Sequence, residues 1–180
     1  MKKVVVTFGL LSGAMSAAMM LLTVPFMGRI GFDRGLIVGY TAIVLSFLFV
    51  YFGVRSYRDN VAGGSVSFGR AFTVGILIAL ISSVCYVITW EIVYFKLMPD
   101  FWDHYSAHAI EHARASGASQ QTIDETSRQM RELKVVLDNP LVNAAYTFIE
   151  PFPVGLLISL ISAAILRRRR PAGMRGAAAL

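Results

Sequence analysis

The order of apolar and polar positions divides the chain into four greasy blocks and one polar insert. Val4–Met27 and Leu36–Val54 carry no charged residue. Ala71–Phe95 carries one, Glu91, and Leu141–Leu166 carries one, Glu150. A helix rises 1.5 Å per residue, so about 20 residues cross about 30 Å of hydrocarbon. All four blocks meet that need, the second being the shortest. Inside lipid the backbone must satisfy its own hydrogen bonds, so these blocks are expected as helices rather than isolated strands. The pattern therefore predicts an all-α integral membrane four-helix bundle, with spans at about 4–27, 36–54, 71–95 and 141–166.

The insert, residues 96–140, reads differently. Pro99-Asp100 opens a first helix that runs to about Ser116, Gly117 stops it, and Ser119 suits the N-cap of a second. Ile123, Met130, Leu133 and Leu137 then follow at spacings of seven, three and four, an apolar stripe, and Pro140 closes the element. The expected object is an external helical hairpin between spans three and four. Its stripes would pack on each other or on the membrane surface.

Charge gives the bundle a direction. The chain holds 17 Lys and Arg against 11 Asp and Glu, a net of +6, and only 16% of its residues are charged, where soluble domains carry about 25%. The positives flank the blocks: Lys2 and Lys3 before the first, then Arg55, Arg58 and Arg70 between the second and third. Five more, Arg167, Arg168, Arg169, Arg170 and Arg175, follow the fourth. These segments share one side of a four-span chain. The other side receives the short Gly28–Gly35 turn and the insert, with its five basic and seven acidic residues. The positive-inside rule then expects a bacterial inner-membrane protein with both termini cytoplasmic, a basic cytoplasmic tail at 167–180, and the insert extracytoplasmic. Trp90, Tyr94, Phe95, Phe101 and Trp102 fall at the expected outer interface, and Tyr51 and Tyr57 near the inner one. The basic residues form no face interleaved with aromatics, so no nucleic-acid partner is expected. The first block is too long for the apolar core of a secretion signal, about 7–15 residues, and is expected to stay as a membrane helix.

Small residues recur four apart in every block. They are Gly9, Gly13 and Ala17; Gly35 and Gly39; Ala71, Gly75, Ala79 and Ser83; and Gly155, Ser159 and Ala163. Such stripes let helix backbones approach closely. They serve either packing within the bundle or association with a second copy or a membrane partner.

Candidate chemistry is sparse. Cys85 is the single cysteine and reads as a small buried hydrophobe. His104, His108 and His112 recur at four-residue spacing. Two such His can hold zinc, but HExxH is absent, the third His drifts round the helix, and exposed helical His are common, so no metal site is assigned. Glycine-rich Gly63–Arg70 lacks the Walker lysine and reads as the turn into span three, with Ser67 as N-cap. No nucleophile elbow, P-loop or dinucleotide fingerprint occurs, so no catalytic residue and no cofactor is expected.

Glu91 and Glu150 are the ionisable groups deep within apolar blocks, where such residues are costly and are functional candidates by default. Counting about 1.5 Å per residue puts Glu91 about 31 Å from the level of Arg70, and Glu150 about 26 Å from that of Arg167. At that similar height they could face each other, share a proton or bind a cation. Alternatively Glu91 faces interfacial water beside Trp90, and Glu150 caps a helix beginning at Pro151, where an acid suits the helix dipole. Leu141–Ile149 would then be a separate, kinked piece.

Five stretches carry a resemblance. They are Phe52–Asp59 (FGVRSYRD), Ser67–Phe72 (SFGRAF), Val87–Glu91 (VITWE), Pro99–Phe101 (PDF) and Thr147–Ala163 (TFIEPFPVGLLISLISA). In that order they resemble the bacterial membrane-protein family named domain of unknown function 4199 (DUF4199), over almost the whole chain. The resemblance implies four spans and a helical outer segment. It carries over no catalytic or ligand residue, although Glu91 and Glu150 fall inside the matching stretches and the three His do not.

The function expected from these features is a non-enzymatic membrane protein, structural or accessory, associating with itself or a partner. A small ion- or proton-coupled transporter using Glu91 and Glu150 is the alternative. A membrane-embedded enzyme with metal at the His stripe is a third class, with the least support.

Overall fold

The computed structural model describes residues 1–26 and 31–167. The expected basic tail beyond Arg167, with Arg168, Arg169, Arg170 and Arg175, and residues 28–30 of the Gly28–Gly35 turn lie outside the described residues. The chain forms seven helices among those residues: α1 Lys2–Thr23, α2 Phe32–Asn60, α3 Phe68–Ile92, α4 Phe101–Ala115, α5 Gln120–Leu137, α6 Pro140–Ile149 and α7 Pro151–Leu166. A short 3₁₀ turn, Val24–Phe26, follows α1, and a wide π-type turn, Val93–Leu97, follows α3. Four stretches are long and apolar enough to span a bilayer: Lys2–Thr23, Arg34–Asn60, Phe68–Leu97 and Pro140–Leu166. The protein is a multi-pass, membrane-embedded all-α bundle.

Helix ends follow local chemistry. Ser67 caps α3 by accepting from the Arg70 N–H at 3.4 Å, and Ser119 caps α5 by accepting from the Thr122 N–H at 3.2 Å. Asn139 accepts from the Leu141 N–H at 3.0 Å, with Pro140 at the first helical position, where a missing N–H costs nothing. Gly117, at φ +76°, makes the left-handed turn between α4 and α5. One boundary differs from expectation. α2 continues past Val54 through Arg55 and Arg58 to Asn60, because charge ends the apolar span without breaking the helix. Asp59 pairs with both arginines there.

α3 is the central helix, packed against α1, α2, α6 and α7. The expected small-residue stripes are where the helices meet. A Cβ added at Gly75 would lie 3.1 Å from the Ser159 Cβ, and one at Gly155 would lie 2.9 Å from the Ala79 Cβ. Gly9 sits against Ile81 and Gly13 against Cys85. Ser12 ties three helices together: its hydroxyl donates to the Ser46 carbonyl at 2.7 Å and lies 2.8 Å from the Ser82 hydroxyl. The fully buried core, with Val50, Val54, Ala71, Val74, Ile78 and Ala163, sits toward the end of the bundle that carries the α2–α3 turn. Large apolar side chains such as Ile37, Leu141 and Ile165 point outward, as lipid-facing positions do.

α4 and α5 form the expected hairpin. The Trp102 indole donates to the Met130 carbonyl at 2.8 Å, and Lys134 pairs with Asp103 across the seam. Ile123 and Leu137 of the expected stripe are buried, but Leu133 is exposed. The seam takes the four-residue step from Met130, which places Lys134 rather than Leu133 against α4.

Candidate functional site

The fourth span is broken where the sequence placed two prolines. Pro151 has no N–H to bond the Thr147 carbonyl, and the Glu150 N–H takes that carbonyl instead, at 3.2 Å. The break separates α6 from α7. α2 packs along α7 but makes no comparable contact with α6, and a cavity of about 720 Å³ opens at this end of the bundle. That volume lies within the usual range for small-molecule sites, about 300–1,000 Å³.

Its walls come from every span and from the hairpin. α1 contributes Met19 and Met20, and α2 contributes Gly39 and Tyr40. α3 presents Tyr86 and Trp90 one turn apart, the wide turn after it adds Tyr94, and the hairpin adds Phe101, Trp102 and Tyr105. The aromatic groups brace one another: Trp90 and Phe101 meet edge to face with centroids 5.0 Å apart, and Trp102 and Tyr105 lie at 5.4 Å. The sequence expected Trp90, Tyr94, Phe95, Phe101 and Trp102 as an interfacial belt, and all of these but Phe95 line the cavity.

Two polar links fix α6 to α3. Asn143, fully buried, accepts from the Trp90 indole N–H at 3.2 Å and from the Thr147 hydroxyl at 3.2 Å, and donates to the Leu137 carbonyl at 3.0 Å. Near the break, the Tyr86 hydroxyl donates to Glu150 Oε2 at 3.1 Å. Glu150 does occupy the residue before α7, but its side chain makes no cap bond. The expected capping role is thus replaced by a bond across the cavity wall to α3.

The other sequence candidates fall elsewhere. Glu91 follows Trp90 on α3, about 100° round the helix, and is not among the residues that line the cavity. Its Oε1 is buried without a hydrogen-bond partner among the described residues. The two carboxylates are therefore not brought together. His104 pairs with Asp100, Nε2 to Oδ2, at 2.8 Å, and that hydrogen bond holds the exposed Asp100 carboxyl below its usual range. His108 and His112 have ring centroids 6.4 Å apart. Among the described residues no three His, Cys, Asp or Glu side chains converge on a common point.

Asn143 and Tyr86 were missed by reading the sequence. Asn143 and Thr147, four apart in an apolar block, were the available signal. Tyr86 gave none, because its partner lies 64 residues away.

A family model described as a protein of unknown function (DUF4199) matches residues 7–168 of the chain. No curated protein and no solved structure matches it.

Proposed function

We propose that this chain, which belongs to the DUF4199 family of proteins of unknown function, is a non-enzymatic accessory protein of the membrane that holds a ligand in the cavity between α2 and α6. The observation that carries this reading is the cavity itself: about 720 Å³, walled by aromatic and apolar side chains, with Glu150 the one carboxylate among the described residues that line it. A few polar groups in an apolar concavity are the usual pattern of a small-molecule site. The transport alternative rested on two acids acting together, and one of them, Glu91, lies outside the cavity lining.

The distribution of Lys and Arg supports an inner-membrane location with the termini cytoplasmic and the hairpin outside. Association with a second copy or a membrane partner belongs to the same proposal. Gly9, Gly13, Gly75 and Gly155 already have neighbours within the chain, so such association would use lipid-facing side chains instead.

Both tryptophans of the chain, Trp90 and Trp102, line the cavity, which supplies the experiment. In detergent or nanodiscs, 4-bromobiphenyl, a neutral heavy-atom quencher, is expected to quench their fluorescence with a saturable component. Gly39→Phe should remove that component, because a Cβ at Gly39 meets nothing within 4 Å and a phenyl group there would fill the space. Quenching that only rises linearly with partitioned probe, identical in both proteins, contradicts the reading.

A further inference from the structure

We infer that the cavity selects a lipophilic organic cation, an apolar or aromatic body with an ammonium-type head directed at Glu150. The inference rests on the ligand-site reading above and adds the charge class of the ligand.

Three observations converge on it. First, no Lys, Arg or His lines the cavity among the described residues, so the Glu150 carboxylate has no counter-charge there. The Tyr86 hydroxyl, on Oε2, is its one hydrogen-bond donor among those residues. An acid held in an apolar span at that cost is best offset by a positive group delivered from outside the chain. Second, Tyr86 and Trp90 stand on one stripe of α3, Tyr94 follows in the wide turn after it, and Phe101 and Trp102 lean in from the hairpin. Aromatic faces attract cations through their quadrupoles, most strongly where water is excluded. Carboxylate and rings thus favour the same sign of charge, and an anionic ligand is opposed by both. Third, the α1 wall carries Met19 and Met20, and its two hydroxyls, Ser16 and Thr23, donate to carbonyls of their own helix. It suits an apolar body, and flexible methionines adapt to its shape.

The test uses a matched pair of probes: biphenyl-4-ylmethyl-trimethylammonium, and the neutral isostere in which a tert-butyl group replaces the trimethylammonium. Each competes with 4-bromobiphenyl for the quenching of Trp90 and Trp102 in the full-length wild-type protein. The cation is expected to displace the quencher at about ten-fold lower concentration than the isostere. Glu150→Gln should abolish that preference while leaving the isostere's affinity unchanged, and Glu150→Asp should retain the preference. Should Glu150→Gln fail to fold, the wild-type comparison decides alone. Equal displacement by both probes overturns the cation inference and leaves the ligand site standing, with a neutral occupant such as a lipid chain. Absence of saturable quenching by 4-bromobiphenyl overturns both.

Discussion

The two ends of this bundle use glycine in opposite ways. Toward the α2–α3 turn, the spans close on one another, and a Cβ at Gly75 or Gly155 would press into the facing helix. Toward the hairpin, Gly39 faces open space in the cavity wall. In the first case the missing side chain brings backbones together, and in the second it leaves room. The same residue type, at the same four-residue spacing, therefore marks a lock at one end and a vacancy at the other. Polar groups divide in parallel. Ser12 spends its hydroxyl on holding three helices, while Glu150, at the cavity, keeps a carboxylate with no cationic partner among the described residues.

The sharpest way to break this contrast is to add the same side chain at both ends. Gly155→Leu would drive into Ala79 and Phe47, whose atoms lie 2.9 Å and 3.0 Å from the first added carbon. A loss of about 3 kcal/mol is expected, the top of the usual range for overpacking. Gly39→Leu should cost no more than about 0.5 kcal/mol, as surface changes do. Thermal unfolding in one detergent measures both, and equal losses would erase the distinction.

Next in size is the polar anchor of the open end. Asn143→Leu strands the Trp90 indole N–H and the Leu137 carbonyl. Leaving such groups unpaired costs about 1–3 kcal/mol, and the Trp90 emission should shift with it. An unshifted spectrum at unchanged stability would mean the link does not exist in the membrane. At the closed end, Ser12→Ala removes both interhelical bonds and should cost about 0.6–1.7 kcal/mol. A variant as stable as wild type would argue that shape alone holds the three helices.

The smallest effect lies on the hairpin, outside the spans. Asp100 takes a hydrogen bond from His104 that lowers its pKa from the ordinary 3.8. A lowered folded value means the small stabilisation is present above 3.8 and fades as pH falls through the folded value. A carboxyl carbon NMR titration should place Asp100 below 3.8 in wild type and higher than that wild-type value in His104→Ala. Identical titrations would remove the pair.

Length and hydropathy made the spans legible, because a bilayer imposes one requirement on every crossing. Caps and breaks were legible for similarly local reasons: Ser67, Ser119, Gly117 and the Glu150-Pro151 junction each act on neighbours within a few residues. The cavity was not. It depends on which polar group of one helix finds which on another, and Tyr86 reaches Glu150 and Trp90 reaches Asn143 across 64 and 53 residues. Counting along the helix could set Glu91 and Glu150 at a similar expected height, but the direction each faces depends on packing. Leu133 shows the same limit on the hairpin. The stripe was visible, yet the choice between a three- and a four-residue step was made by Lys134 and its partner Asp103 on α4.

The four-span bundle requires one crossing, α3, between the α2–α3 turn and the hairpin. Single cysteines at two exposed positions test it: Val61→Cys beside the α2–α3 turn and Gln121→Cys at the start of α5, each with the native thiol removed by Cys85→Ala.

 α3 alone separates those two positions, so they must lie on opposite faces of the membrane. In intact cells, a membrane-impermeant maleimide is expected to label the cysteine at position 121 and to leave that at position 61 unlabelled until the membrane is opened. Labelling of both, or of neither, in sealed cells would contradict the four-span bundle. Labelling of position 61 alone would keep the bundle and reverse its orientation.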